Sequence, residues 1–321
     1  MARFEHDLAS SETSPFPNTF GSASPCAGQA GESLSQSCHR DAGMACGCLR
    51  SSEREGGMDG SHGHATRHAD GSAGDADYGR IGHRYASYRQ PEPAIAAQIA
   101  AALGPAAAVL NVGAGAGSYE PRERAVTAVE PSASMRAQRP AGIAAAIDAT
   151  AEHLPFPDKA FDAAMATFTV HQWQDLGAGL REMRRVTRGP VVILSCDPEL
   201  VEVFWLADYA PKVLATEAKR YPRLDQIGQM LGGSVETVPV AIPLACRDGF
   251  NEAYYGRPER FLDEGARLAC SAWSFVGAAE NAASIERLRS DLASGAWDAR
   301  YGSLRRQPSY HGSLRLVISH G

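Results

Sequence analysis

Residues 106–131 read AAAVLNVGAGAGSYEPRERAVTAVEP and contain two apolar runs with a glycine-rich turn between them. The first run, 106–112, is short, partly β-branched and interrupted only by Asn111, which is typical of a buried parallel strand. The second run, 125–129, predicts another strand of the same kind. Two such strands in succession predict an open α/β sheet.

The turn between the two strands carries glycines at alternate positions, Gly113, Gly115 and Gly117, and the second strand ends at Glu130. Glycines after a strand let the backbone turn sharply and let a ligand lie against bare main chain. An acid that closes the next strand can accept hydrogen bonds from the two hydroxyls of a ribose. Together these features predict a nucleoside-type ligand across the strand ends. The alternative is an ordinary glycine-rich turn with a surface glutamate.

The glycine spacing is G-x-G-x-G with Ser118 next, whereas dinucleotide-binding loops follow G-x-G-x-x-G/A. The loop resembles motif I of the class I S-adenosylmethionine-dependent methyltransferases, in the branch called type 11. Residues 130–132, EPS, are similar to the ribose-binding strand end of that family. The resemblance implies S-adenosylmethionine as cofactor and contacts to it from Asn111, Gly113, Ala114, Gly115, Gly117, Glu130 and Pro131. The family often has an acid where this chain has Asn111, so a charge near the methionine amino group is expected to be missing.

Residues 148–158, DATAEHLPFPD, are similar to the adenine-binding loop of the same family, D-A-E-x-L-P-F. Thr150 stands where that pattern has its first acid. The resemblance therefore implies that Ala151 and Glu152 contact the adenine, with Asp148 as a substitute for the missing acid.

Residues 161–168 predict the fourth and central strand, which ends around Thr167. Ligands of open α/β sheets lie beyond the carboxyl ends of the strands. We therefore expect Thr167 at the cofactor and His171 near the reacting methyl group. His171 is the candidate catalytic residue, because a neutral imidazole can take the proton of a hydroxyl acceptor. A hydrogen-bonded structural histidine is the alternative.

Upstream of the first strand, Tyr78, Tyr85, Tyr88 and Arg89 precede an apolar helical stripe. In small-molecule methyltransferases similar to this chain, an N-terminal Tyr/Arg segment folds over the cofactor. The resemblance implies that Arg89 pairs with the methionine carboxylate in a forked geometry. A solvated surface arginine is the alternative.

The predicted fold is one doubly wound α/β domain over residues 78–321, with a mostly parallel seven-stranded sheet of the Rossmann-like methyltransferase type. A helical insertion at about 248–310, before the last strand, is the natural place for a substrate lid. Residues 1–77 are rich in Ser, Gly, Ala, His and Asp and lack periodic apolar residues, so they predict a disordered tail. The cysteines and histidines of this tail fit no standard zinc spacing, and no metal site is predicted.

Composition limits the partners and the compartment. The net charge of -6 and the isoelectric point near 5.9 give no electrostatic basis for binding nucleic acid or an anionic membrane. No apolar run reaches the roughly 18 residues of a membrane span, and the N-terminus lacks the apolar core of a signal peptide. A cytoplasmic protein is expected.

The function that the resemblance implies is methyl transfer from S-adenosylmethionine to a small-molecule acceptor. Two alternatives remain open. One is a non-catalytic S-adenosylmethionine-binding module that regulates a partner. The other is a nicotinamide-dependent oxidoreductase, which Ser118 and the context of Glu130 disfavour.

Overall fold

The computed structural model describes residues 87–321. The predictions made for residues 1–77, and those for Tyr78 and Tyr85, concern positions outside the described residues. The domain boundary at residue 78 therefore stays a prediction.

A seven-stranded sheet forms the centre of the described structure, in the order β3-β2-β1-β4-β5-β9-β6. The strands β1 to β5 pair in parallel, and β9 runs antiparallel to both β5 and β6. This topology confirms the predicted doubly wound, mostly parallel fold. The strands of the sheet are β1 Ala108–Val112, β2 Ala125–Val129, β3 Ala146–Ile147, β4 Ala163–Thr167, β5 Val191–Cys196, β6 Ser234–Pro239 and β9 Leu314–His320.

Helices connect the strands and cover both faces of the sheet. The α-helices are α1 Pro93–Ala102, α2 Ala133–Arg136, α3 Leu176–Val186, α4 Pro198–Val201, α5 Pro211–Arg220, α6 Leu224–Leu231, α7 Glu264–Leu268, α8 Ala278–Ser294 and α9 Ala296–Tyr301. Short 3₁₀ helices occupy Val170–Gln172, Trp205–Asp208, Asn251–Tyr254, Pro258–Leu262, Ser271–Phe275 and Gly302–Arg306. Among residues 87–321, none of these helices is long and apolar enough to cross a membrane.

The central strands are continuously apolar because both faces of the sheet are covered. Successive residues of β1 point to opposite faces. Val109 packs with Ile95 and Ile99 of α1, whereas Leu110 packs with Leu180 and Met183 of α3. The amphipathic stripes read from the sequence of α1 and α3 are therefore the surfaces that cover the sheet.

The segment between β6 and β9 differs from the sequence prediction at its beginning. The alternation of apolar residues over 235–244 predicts one strand, but β6 ends at Pro239 and a separate strand, β7 Ile242–Pro243, pairs with β8 Ser309–Tyr310. A proline has no backbone N–H to continue a ladder, which is one reason for the break. The two-stranded pair joins the residues just before the predicted insertion to its last residues, and the role of the insertion as a lid stays a prediction.

Candidate functional site

The carboxyl ends of the parallel strands lie on one edge of the sheet, as parallel strands require. Val112 ends β1, Val129 ends β2, Thr167 ends β4 and Cys196 ends β5. The backbone N–H groups of Gly113 and Ala114 both donate to the Val129 carbonyl, each at 2.9 Å. The glycine loop is therefore fixed to the end of the second strand.

All three loop glycines have positive φ, at 68° for Gly113, 50° for Gly115 and 92° for Gly117. A Cβ added to Gly113 would lie 2.1 Å from Oγ1 of Thr169, and one added to Gly117 would lie 2.3 Å from Cδ1 of Ile143. Glycine is needed here both for the backbone conformation and for the close approach of neighbouring side chains.

Glu130 is 7% exposed and faces the glycine loop. One carboxylate oxygen accepts from the N–H of Gly115 and the other from the N–H of Ser132, both at 2.8 Å. Burial raises the pKa of this carboxyl above its ordinary value, and the two backbone amides partly offset that effect. A carboxylate has about four lone-pair sites, so Glu130 retains acceptor capacity beyond these two bonds.

A second buried acid, Glu120, lies beside Asn111. The amide nitrogen of Asn111 donates to Oε1 of Glu120 at 3.1 Å, and Nη2 of Arg139 donates to both Glu120 oxygens at 2.9 Å. The side chains of Glu120 and Arg139 are 3% and 4% exposed. A carboxylate therefore does lie beside Asn111, but Glu120 supplies it, and the guanidinium of Arg139 balances its charge. Sequence reasoning missed both partners, although an acid soon after the glycines was a visible signal.

The predicted adenine-loop residues lie near the start of α3. Ala151 is buried. A carboxylate oxygen of Glu152 accepts from the backbone N–H groups of Gln174 at 2.9 Å and Asp175 at 3.2 Å. Asp148 pairs instead with Nη2 of Arg136 at 2.8 Å. Both acids have protein partners, and adenine contacts from Ala151 and Glu152 stay a prediction.

His171 follows β4, in the short helix Val170–Gln172, and is 6% exposed. Its ring meets that of Tyr221 edge-on, with 4.7 Å between centroids. Burial, together with the positive charges of Arg220 and Arg89, lowers the pKa of His171 well below its ordinary value. The imidazole is therefore neutral at pH 7. Its Nδ1 is buried and has no hydrogen-bond partner within residues 87–321.

Four parts of the chain meet at Arg89. Its Nε donates to Asp248 at 2.6 Å, and the hydroxyl of Tyr119 donates to the same carboxylate at 2.8 Å. The guanidinium carbon lies 5.0 Å from the centroid of the Phe168 ring. The N-terminal segment, the glycine loop, the end of β4 and the insertion therefore meet at Arg89, whose contact with a methionine carboxylate stays a prediction.

A pocket opens beyond the end of β4. Its walls include Arg89, Phe168, His171, Glu217, Arg220 and Phe250. Of these wall residues, Arg89 and His171 were expected near a ligand from the sequence. Phe168 follows β4 directly, whereas Glu217 and Arg220 lie in α5 and Phe250 lies in the insertion, and no local motif marks these four. Pro131 lies apart from this pocket and is exposed.

No cluster of three or more His, Cys, Asp or Glu side chains within the described part of the chain could hold a metal ion.

Comparison with known proteins finds similarity to methyltransferases. A model described as a methyltransferase domain, of type 11, matches residues 110–194. A crystal structure from Anabaena variabilis, described as a methyltransferase from an antibiotic biosynthesis pathway, is 28% identical with a TM-score of 0.68; the match covers 73% of this chain and 99% of that one.

Two further matches are more limited. A Thermotoga maritima structure, described as an S-adenosylmethionine-dependent methyltransferase and possible histamine N-methyltransferase, is 13% identical with a TM-score of 0.45; the match covers 75% of this chain and 95% of that one. The uncharacterized protein YafE of Escherichia coli is 47% identical over 38 residues, which is 12% of this chain and 18% of YafE. The chain thus spans less than a fifth of that curated relative.

Proposed function

We propose that the chain is a class I S-adenosylmethionine-dependent methyltransferase, which transfers the methyl group of S-adenosylmethionine to a small molecule held in the pocket beyond β4. The observation that carries this proposal is the position of Glu130, whose carboxylate accepts from the N–H of Gly115 inside a loop of three positive-φ glycines. The pocket lies at the end of β4, which pairs with β1, the strand that leads into the glycine loop. A methyl group carried by such a cofactor would have to be delivered there.

The donor and acceptor groups at this edge fit the cofactor. Glu130 has lone pairs for two ribose hydroxyls, and the glycine loop offers main chain without side chains. We expect Ala151 and Glu152 near the adenine and Arg89 at the methionine carboxylate. The sequence predicts further cofactor contacts from Asn111, Ala114, Pro131 and Thr167.

The chain's own contribution to the reaction is orientation. When bound, the cofactor supplies a methyl group on a good leaving group, so holding the acceptor in line with that methyl provides most of the catalysis. If the acceptor is a hydroxyl, the neutral imidazole of His171 takes its proton. If the acceptor is a thiolate, a carbanion or a free amine, His171 only shapes the pocket.

Binding measurements on the full-length protein test the proposal first. S-adenosylhomocysteine and NADH are titrated separately by calorimetry. We expect S-adenosylhomocysteine to bind and NADH not to bind, and the opposite result would favour the nicotinamide-dependent oxidoreductase.

Turnover is then measured with a methyl-labelled donor and a metabolite extract, with the product identified by mass. Labelled product supports the enzyme. Tight cofactor binding without labelled product from any acceptor would favour the regulatory module.

His171→Gln should lower turnover by roughly a hundred-fold or more with unchanged cofactor affinity if His171 is a base. A small loss, or one confined to the KM of the acceptor, would assign it a shaping role.

A further inference from the structure

The charged side chains that line the pocket beyond β4 come with opposite charges beside them. Nε of Arg89 lies 2.6 Å from Oδ1 of Asp248. Glu217 and Arg220 both line the pocket and lie three residues apart on α5, a spacing that puts two side chains on the same face of a helix. The positive charge of Arg220 offsets part of the rise that burial causes in the pKa of Glu217. Each charge on the described walls therefore has an opposite charge near it.

A ligand with a net charge would disturb this balance. A buried charge is costly unless it is paired and hydrogen-bonded. An anion would compete with Glu217 for the guanidinium of Arg220, and an ammonium group would compete with Arg220 for the carboxylate of Glu217. Resting on the function proposed above, we propose that the acceptor binds in this pocket as an uncharged molecule that carries a hydroxyl, an alcohol or a phenol.

The insertion holds the carboxyl of Glu217 in place. Nδ2 of Asn251 donates to Oε2 of Glu217 at 2.5 Å, and Oδ1 of Asn251 accepts from Nε1 of Trp273 at 3.1 Å. An indole N–H only donates, so it fixes the amide of Asn251 with Nδ2 toward Glu217. Asn251 and Trp273 are both buried. Glu217 thus stays on the pocket wall as a counter-charge to Arg220.

His171 supplies the hydrogen-bonding group that an uncharged hydroxyl needs. Burial and the positive charges of Arg220 and Arg89 keep its imidazole neutral at pH 7. A neutral imidazole has one nitrogen that accepts a hydrogen bond. Nδ1 is buried with no hydrogen-bond partner among the described residues, which leaves the ring able to accept from a ligand.

The remaining walls suit a flat apolar body attached to the hydroxyl. The centroids of the Phe168 and Phe250 rings lie 5.4 Å apart, and Tyr221 meets His171 edge-on. All four side chains line the pocket. Aromatic rings pack favourably in tilted and edge-on arrangements. An alcohol or phenol on an apolar ring therefore matches these walls in polarity.

A hydroxyl is also the acceptor that needs His171 as a base. A thiolate or a carbanion would bring a negative charge into the pocket, and an amine is mostly protonated at pH 7. In the transfer, the hydroxyl oxygen forms a bond to the methyl carbon while the bond from that carbon to the cofactor's sulfur breaks. The sulfur keeps the electron pair, and the hydroxyl proton passes to His171 and then to water.

Probes of one shape and different charge test the inference on the full-length protein saturated with S-adenosylhomocysteine. Benzyl alcohol, benzoate, benzylamine and toluene are titrated by ligand-observed NMR, with phenol beside them to tell an alcohol site from a phenol site. One of the two hydroxyl probes should bind at least about tenfold tighter than benzoate and than benzylamine, because only the ions bring an unpaired charge. The hydrogen bond should make it bind about two- to tenfold tighter than toluene.

Variants locate each contribution. Glu217→Gln keeps an oxygen that accepts from Asn251 but removes the negative charge, so benzoate should gain at least about tenfold relative to the hydroxyl probe. The matched control is Glu202→Gln, at an exposed acid just after α4, and it should leave this ratio unchanged. His171→Phe should abolish the preference for the hydroxyl probe over toluene. If a variant does not fold, the wild-type comparison of the probes decides.

Several outcomes would overturn the inference. They are binding of benzoate or benzylamine as tight as that of the hydroxyl probes, equal affinity for the hydroxyl probes and toluene, an unchanged preference in either folded variant, and no binding of any probe up to its solubility limit. In each case S-adenosylhomocysteine still binds and the proposed function survives. Failure of S-adenosylhomocysteine itself to bind would remove the proposed function, and this inference with it.

Discussion

Nε of Arg89 lies 2.6 Å from Oδ1 of Asp248, although 159 residues separate the two in the chain. The Asp248 side chain is 3% exposed and also accepts from the hydroxyl of Tyr119 at 2.8 Å. Arg89 precedes α1, Tyr119 follows the glycine loop, and Asp248 begins the insertion. One carboxylate therefore fixes the segments that surround the candidate site to one another.

Replacing Asp248 with Asn should lower the free energy of unfolding by about 3–5 kcal/mol, because it removes the negative charge of a largely buried ion pair. Urea denaturation of the full-length protein measures the loss. The control is Arg223→Gln, which breaks an exposed pair with Glu199 and should cost less than about 1 kcal/mol. Equal losses in the two variants would contradict the structural role of the pair.

Glu130→Gln should weaken S-adenosylhomocysteine binding by about ten- to a hundred-fold, because charge-assisted hydrogen bonds to the ribose become neutral. Calorimetry measures the affinity. Since Glu130 also accepts from two backbone amides, thermal denaturation without ligand is followed on the same preparation. Glu123→Gln removes an exposed acid from the same segment and should bind normally. Unchanged affinity in Glu130→Gln would remove Glu130 from the cofactor site.

Gly113→Ala should be more destabilising than Gly104→Ala, although both glycines have similar positive φ, 68° and 60°. At Gly104 a Cβ would meet nothing within 4 Å, so only backbone strain of about 1–2 kcal/mol is expected. At Gly113 the Cβ would collide with Thr169, and cofactor binding should also be lost. Chemical denaturation and S-adenosylhomocysteine titration of both variants provide the measurement. Normal binding by Gly113→Ala would show that the loop is not the cofactor cradle.

His171 should make the wild-type protein lose stability as the pH falls below about 6.5. The folded state holds the pKa of His171 far below that value, so the unfolded chain binds the extra proton and is favoured in acid. The stability difference between wild type and His171→Gln should therefore shrink toward pH 5, by up to about 1.4 kcal/mol per pH unit.

Urea denaturation between pH 5 and pH 8 tests this expectation. Burial raises the pKa of Glu252 to about 7, which favours the folded state at low pH, but Glu252 is present in both proteins and its effect cancels. A stability difference that does not change with pH would mean that the pKa of His171 is the same in the folded and unfolded protein.

The sequence alone determined the central sheet and the position of the glycine loop. These features are local, because each strand is a short apolar run and the loop and Glu130 lie within 26 residues of one another. Backbone conformation and strand order follow from such local patterns through general rules for parallel sheets. The sheet topology confirms the fold class predicted in this way.

Tertiary structure alone decided which side chains meet around the site. Asp248 at Arg89 and Tyr221 at His171 are contacts between segments that are far apart in the chain and have no shared period or spacing. The bonds from the backbone amides of Gln174 and Asp175 to Glu152 show the same limit, and the adenine contact expected of Glu152 stays a prediction. Such contacts depend on how helices and the insertion pack over the strand ends. That packing results from long-range burial of side chains, which no short stretch of sequence encodes by itself.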